Sequence, residues 1–208
     1  CINLDIDDQE SLHSAMHGCV AVICALSYSH CLQVAQAAME CKLSYFDLTE
    51  DIAVSLKIKQ LAESAQHGQA IMPQCGLAPG FTAIIANHLA QQVDRVENIN
   101  IRVGALPVYP TNSLRYNLTW STDGLINEYC QPCQILRDAE LVEARPLTGL
   151  EALSIDGTRY EAFHTSGGIG SLCSSLRGAA RNINYKTIRY PGHRDLVSFL
   201  LEELQLAN

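Results

Sequence analysis

The chain has no apolar run near the ~18 residues that would span a bilayer, so no membrane helix is expected. It has no basic excess: 14 Lys and Arg stand against 22 Asp and Glu, a formal net charge of −8. A nucleic-acid backbone needs a basic face, which excludes nucleic acid as the main partner. Cys130-Gln131-Pro132-Cys133 is a lone CxxC without the second pair of ligands that a zinc site requires, so no metal is expected. The start, Cys1-Ile2-Asn3-Leu4-Asp5, has no basic stretch and turns acidic at once, so no secretory leader is visible. An initial Met is missing as well, and we expect a piece of a longer protein. The G-x-G-x-x-G fingerprint that follows the first strand of dinucleotide-binding folds is absent. The cluster Gly167-Gly168-Ile169-Gly170 lies in the second half, where it suits a tight turn feeding a helix. Internal repeats, low-complexity segments and long linkers are also lacking.

What remains is a chain of 208 residues, 48% hydrophobic and 17% charged, enough for one large domain or two small ones with a sizeable core. Its nine cysteines are odd in number and mostly lie in apolar or helical surroundings, as Cys19, Cys24, Cys31, Cys41 and Cys173 do. That usage suits a reducing cytosol, and a cytoplasmic protein is expected.

The first half alternates strands and helices. Ile2-Asn3-Leu4 reads as a short strand, and Asp8 can cap a helix over residues 9–17. Residues 19–26 are continuously apolar, the mark of a strand buried on both faces. Helix is expected over 31–41, strand over 44–48, and helix over 53–66. Residues 70–81, AIMPQCGLAPGF, then read as strand, glycine-bearing turn and helix, with Pro79 suited to the first helical turn. Such a turn lies at the carboxyl end of a strand, where open α/β sheets bind ligands, and its backbone N–H groups can hold an anion. A plain connection would use the same Gly and Pro residues for geometry alone. Strands each followed by a helix predict a parallel sheet with right-handed crossovers.

From about Glu97 the period changes to two. Strands are expected over 98–104 and 114–120, hairpins over 134–145 and 153–163 with Asp156-Gly157 as the second turn, helix over 170–181, strand over 185–190, and a final helix over 192–206. The predicted class is α/β: a partial Rossmann-like, dinucleotide-binding domain over residues 1–94, then an α+β substrate and catalytic domain on a largely antiparallel sheet over residues 95–208.

Four segments in this order, Gly76-Leu77-Ala78-Pro79-Gly80, Gly104-Ala105-Leu106-Pro107, residues 112–124 (NSLRYNLTWSTDG) and Tyr190-Pro191-Gly192-His193-Arg194-Asp195, resemble the saccharopine dehydrogenase family of oxidoreductases. The resemblance covers essentially the whole chain. It implies an NAD- or NADP-dependent enzyme that oxidises a C–N bond of an amino-acid-like substrate, with the glycine-rich loop upstream of Cys1. By the same resemblance Ala25, Leu26 and Ser27 end the nucleotide-facing strand, Asp47, Leu48 and Thr49 end the next, and Cys75, Gly76, Leu77, Ala78 and Pro79 line the nicotinamide side. Asp47 and Thr49 are equally placed to cap a helix, and Cys75 to be a buried inert thiol.

A carboxylate substrate calls for Arg, whose planar fork pairs bidentately. Arg115 is the first candidate, sharing one polar strand face with Ser113, Asn117 and Thr119, while Leu114, Tyr116, Leu118 and Trp120 face the core. Arg102, Arg189 and Arg194 follow it. His164, His193, Asp123 and Glu128 are all open as the proton acceptor, and the sequence does not choose among them. The expected partners are a small amino-acid-like molecule and a second copy of the chain. The rival reading is a non-enzymatic dimerising or ligand-sensing module derived from this family.

Overall fold

The computed structural model describes residues 1–206. The chain forms two compact units, Cys1–Phe81 and Thr82–Asn208.

In the first unit the elements run α1 (Gln9–Met16), β1 (Ala21–Cys24), α2 (Tyr28–Glu40), β2 (Ser44–Asp47), α3 (Ile52–Ala62) and β3 (Ile71–Met72). The sheet has the order β1-β2-β3 and both pairings are parallel, as the alternation predicts. Asp8 caps α1, its carboxylate accepting from the Glu10 and Ser11 amides, and Asp51 caps α3 through the Val54 amide. Leu12 and Met16 of α1, Cys31, Val34, Ala35 and Ala38 of α2, and Ile58 of α3 share one core with Cys24 and Tyr45. All three helices therefore cover the same sheet face.

That corrects the two-sided burial expected of residues 19–26. Ile23 is 74% exposed and Met72 52%, on the face the helices leave bare. The strand expected at Ile2-Asn3-Leu4 is also absent. Asp5 turns the chain there by accepting from the Asp7 amide, and Leu4 and Ile6 pack on the core from an irregular lead-in.

The second unit holds α4, which starts at the unit boundary (Phe81–Ala90), β4 (Val96–Val103), α5 (Thr122–Cys130), β5 (Cys133–Arg137), β6 (Glu140–Ala144), β7 (Glu151–Ile155), β8 (Thr158–Phe163), α6 (Leu172–Ser175), β9 (Ala180–Arg189) and α7 (His193–Ser198), which continues as a π-helical turn, Phe199–Glu203. The sheet runs β6-β5-β9-β8-β7, with β4 parallel to β9 and the other pairs antiparallel. Both hairpins turn where expected. Asp138 and Ala139, then Asp156 and Gly157, take positive φ at adjacent positions, which matches the twist of the flanking strands.

Two expectations fail here and one helix is new. The helix expected over 170–181 shrinks to four residues, because Gly178 takes φ +84° and Ala180 already belongs to β9. The helix α5 was not foreseen, although Ser121 caps it through the Gly124 amide. The strand expected over 114–120 is irregular, and Arg115 has φ +50°. Its cause is Asn112. The side chain of Asn112 accepts from the Tyr116 amide at 3.3 Å and donates to the Tyr116 carbonyl at 2.8 Å, while the Arg115 amide donates to the Asn112 carbonyl at 3.0 Å. The side chain takes the place of a strand partner.

Candidate functional site

The three parallel strands end side by side, and the residues after each end form one edge of the first unit. β1 runs into Ala25, Leu26 and Ser27, β2 into Leu48 and Thr49, and β3 into the turn 73–80. Leu26 is 51% exposed, Leu48 49% and Leu77 57%, and Ala25 and Cys75 are exposed with them. A Cβ placed on Gly76 would lie 3.7 Å from the Leu48 carbonyl oxygen, so the turn abuts the end of β2. The result is an apolar shelf, and the amides of Thr49, Gln74 and Cys75 beside it are bonded to Asp47.

The turn closes on itself. The Phe81 amide donates to the Gly76 carbonyl at 2.9 Å, and Gly80 has φ +131°. A Cβ on Gly80 would come within 2.3 Å of the Gly76 carbonyl oxygen, so only glycine fits. Pro79 follows a cis peptide bond and stands before the helix, not in its first turn as expected. Cys75 is exposed, not buried as expected; it donates its thiol to the Met72 carbonyl, and partial desolvation together with the Asp47 charge raises its pKa, so it stays a thiol at neutral pH. Thr49 is buried, and its hydroxyl accepts from the Asp51 amide at 3.2 Å. Asp47 is fully buried, its carboxylate bonded within the unit.

The second unit contains a buried polar network on α5, on the segment just after β8, on β9 and on α7. Glu128, Tyr129, Thr165, Thr187, Arg189 and His193 are each at most 9% exposed. His193 Nδ1 lies 2.8 Å from the Leu114 carbonyl and must carry the proton there, which leaves Nε2 as an acceptor. Tyr129 then donates its hydroxyl to Nε2 at 3.0 Å and accepts from Arg189 Nε at 2.9 Å. Arg189 lies over the Tyr116 ring, 4.5 Å from its centroid, and 3.9 Å from Glu128 Oε2. Thr165 Oγ1 and Thr187 Oγ1 lie 3.1 and 3.3 Å from Glu128 Oε1 and 2.7 Å from each other, so one hydroxyl donates to the carboxylate and the other to its neighbour. Burial pushes the His193 pKa down to about 4 and raises that of Glu128 against the Arg189 charge. A neutral imidazole, a phenol and a guanidinium thus form one ordered chain of donors.

The sequence profile of the saccharopine dehydrogenase C-terminal domain matches residues 76–207, more than half of the chain. The chain belongs to the saccharopine dehydrogenase family. A curated relative, the mitochondrial alpha-aminoadipic semialdehyde synthase of Rattus norvegicus, is 24% identical over 219 residues, which take in 92% of this chain and 22% of that protein. The solved structure of apo histidine-tagged saccharopine dehydrogenase (L-Glu forming) from Saccharomyces cerevisiae superimposes with a TM-score of 0.72 at 19% identity, covering 100% of this chain and 48% of that one. The chain therefore spans about half of the solved relative and about a fifth of the curated one, and the structural likeness shows the fold.

Within the saccharopine dehydrogenase domain the expected substrate residues do not share a strand face. Arg115, Asn117 and Thr119 are all exposed on the irregular loop, and of the four residues expected in the core only Tyr116 is buried. The other arginine candidates are engaged. Arg102 forks onto Glu151, which also holds Lys186 at 2.7 Å. Arg189 belongs to the network, and Arg194 donates to the Leu147 carbonyl and pairs with Asp195 at 2.6 Å. Only Arg115 of the four has a guanidinium without a partner among the described residues. Of the proposed proton acceptors, Glu128 and His193 come together through Arg189 and Tyr129. His164 lies apart, bonded to the Tyr185 carbonyl, and Asp123 is exposed in the first turn of α5. Tyr129, Thr165 and Thr187 escaped sequence reasoning. The signal that could have found them is the pairing of hydroxyls with the buried Glu128 next to Tyr129, visible only if α5 is recognised as a helix.

Proposed function

We propose that this chain is part of an NAD- or NADP-dependent oxidoreductase that acts on a C–N bond of an amino-acid-derived substrate of the saccharopine or lysine type. The observation that carries the reading is the apolar shelf of Leu26, Leu48 and Leu77 at the carboxyl ends of three parallel strands, in a chain whose family includes the relatives named above. Residues 1–94 serve the nucleotide and residues 95–208 the substrate. The residues present fit a nicotinamide: Leu26, Leu48 and Leu77 supply a dry face, Ala25, Ser27 and Thr49 flank it, and Gly76 and Ala78 offer main-chain groups without bulk. The bound nicotinamide supplies the hydride acceptor. Arg115 holds the substrate carboxylate, with Asn117 and Thr119 beside it as orienting groups, and the ordered donors around Tyr129 keep the neighbouring loop fixed through the His193 bond to Leu114. A reducing cytosol suits nine free cysteines, among them Cys24 and Cys31 with sulfurs 3.8 Å apart, and a homodimer is the proposed assembly.

The test is a screen of the full-length protein against saccharopine, lysine and related amino acids with NAD and NADP, followed by nicotinamide absorbance. Turnover of an amino acid carrying an additional amine or carboxylate is the expected result. Absence of turnover with nucleotide binding also absent would replace the enzyme with a ligand-binding module.

A further inference from the structure

We infer that Asp47 is a positioning residue: its buried carboxylate fixes the 74–79 turn against the end of β2 and so sets where Leu77 and Gly76 stand on the shelf. The inference rests on the dehydrogenase reading above. A carboxylate at the end of a parallel strand is placed to face a ligand, yet this one is 0% exposed. It shares the inward face of β2 with Tyr45, and each oxygen is taken. Oδ1 accepts from the Thr49 amide at 3.0 Å and from the Gln74 amide at 2.9 Å, and Oδ2 lies 2.9 Å from the Tyr45 hydroxyl. That hydroxyl is also 3.0 Å from the Cys31 carbonyl, and its single proton serves one acceptor at a time.

The need for such a clamp follows from the shortness of β3. It is two residues long, and its register with β2 ends at Phe46 and Met72. Beyond that point the sheet ladder cannot hold the chain. Asp47 takes over with both its groups, since its carbonyl accepts from the Cys75 amide at 2.7 Å while its carboxylate accepts from the amide before it. Gln74 has φ +66°, a conformation that non-glycine residues seldom adopt. The turn to positive φ aims the Gln74 amide inward at the carboxylate. Asp47 thereby joins the segments after β2 and β3, the two that carry Leu48 and Leu77. Charge is not required for this role; an oxygen acceptor at the same place is.

The experiment compares Asp47→Ala and Asp47→Asn in the full-length protein by amide hydrogen exchange over residues 73–79 and by calorimetric titration with NAD and with NADPH. Asp47→Ala should speed exchange at Gln74 by about tenfold or more and weaken the nucleotide by roughly tenfold. Asp47→Asn keeps an acceptor for the two amides, so exchange and affinity should both stay within about threefold of the native protein. If Asp47→Ala does not fold, Asp47→Asn decides alone. In Asp47→Ala, exchange and affinity impaired together support positioning; in Asp47→Asn, exchange and affinity that move together do so. Affinity lost with native exchange makes Asp47 a direct nucleotide contact and overturns the inference, as does fast exchange with native affinity. Native exchange in Asp47→Ala overturns it too. A native full-length protein that binds neither nucleotide removes the dehydrogenase reading, and exchange at Gln74 then still decides whether Asp47 pins the turn.

Discussion

At the edge of the parallel sheet Leu26, Leu48 and Leu77 each keep about half of their surface, whereas Arg189 keeps 4% and His193 3% in the network of the second unit. The edge places carbon where water can reach it and leaves its polar groups tied beneath. The network places charge where water cannot reach it, and each member is satisfied by another. An exposed apolar shelf adds little to stability and is available to a ligand. A buried charge pair with its hydrogen bonds is costly to disturb and has no free valence to offer. The difference separates residues that can present something to a substrate from residues that hold the frame.

The sharpest way to break this contrast is at Arg189. Removal of one partner of a buried pair leaves the other charge uncompensated, at a cost of about 3–5 kcal/mol. Arg189→Ala should therefore lose about that much in urea denaturation, because Glu128 loses its counter-charge and the Tyr129 hydroxyl loses a donor. A loss under about 1 kcal/mol would show that Glu128 relaxes to a neutral or hydrated state and that the network does not hold the unit together.

His193 tests the same frame through pH. Its pKa falls from 6.5 to about 4 on folding. Above pH 6.5 the imidazole is neutral in both states and contributes no pH dependence. Below it the unfolded chain takes up a proton that the folded chain refuses until pH 4, so stability is lost as pH falls through that window, by up to about 3 kcal/mol. Glu128 opposes this, since its raised pKa lets the folded state gain a proton on acidification. The measurement is therefore the difference between the native protein and His193→Gln, which has no titration there. Native protein should lose about 3 kcal/mol more between pH 6.5 and 4. Parallel curves would mean that the Tyr129 bond breaks and the ring is protonated in place.

Much of the frame was legible before the structure, and the reasons are local. The runs around Val22, Tyr45 and Ile71 are apolar and separated by helical spacing, which leaves few topologies other than a parallel sheet. Asp156-Gly157 forces its own hairpin. The failures came where a side chain substitutes for a backbone partner. Alternation in residues 114–120 is real, yet Asn112 ties both main-chain groups of Tyr116 and no strand forms. Continuous apolarity in residues 19–26 predicted two covered faces, but all three helices sit on one. At the site, the strand ends were readable from pattern. The inward turn of Asp47 and the joining of Glu128 to Arg189 were not, because each depends on contacts between segments far apart in sequence.

A smaller effect is expected at Arg115, where the two kinds of region meet in one loop. Tyr116 is buried in contact with the network, and Arg115 beside it is exposed, its guanidinium without a partner among the described residues. Arg115→Ala should lower kcat/KM for a carboxylate substrate roughly ten- to hundredfold in the full-length enzyme, the cost of a charge-assisted bond of ~1.5–3 kcal/mol. Nicotinamide affinity should be unchanged, and stability should move by less than ~1 kcal/mol. Unchanged kinetics would place Arg115 among the solvated residues and leave the carboxylate clamp to another group.

The smallest effect separates the shelf from ordinary surface. Leu48 is 49% exposed and Leu150 51%, so solvent sees the two leucines alike. Only Leu48 stands at the carboxyl end of a parallel strand, against Gly76. If the shelf takes a nicotinamide, the exposed half of Leu48 is covered on binding. Burial at ~25 cal/mol per Å2 over a few tens of Å2 is worth about 1 kcal/mol. Leu48→Ala should then weaken the nucleotide about fivefold in the full-length protein, and Leu150→Ala should leave it unchanged. Neither change should cost more than about 1 kcal/mol of stability, because half of each side chain is already in water. Calorimetric titration of the two variants side by side gives the answer. Equal affinities would mean that the nucleotide passes the end of β2 without touching it, and the shelf would then lose its assignment even if the enzyme turns over its substrate.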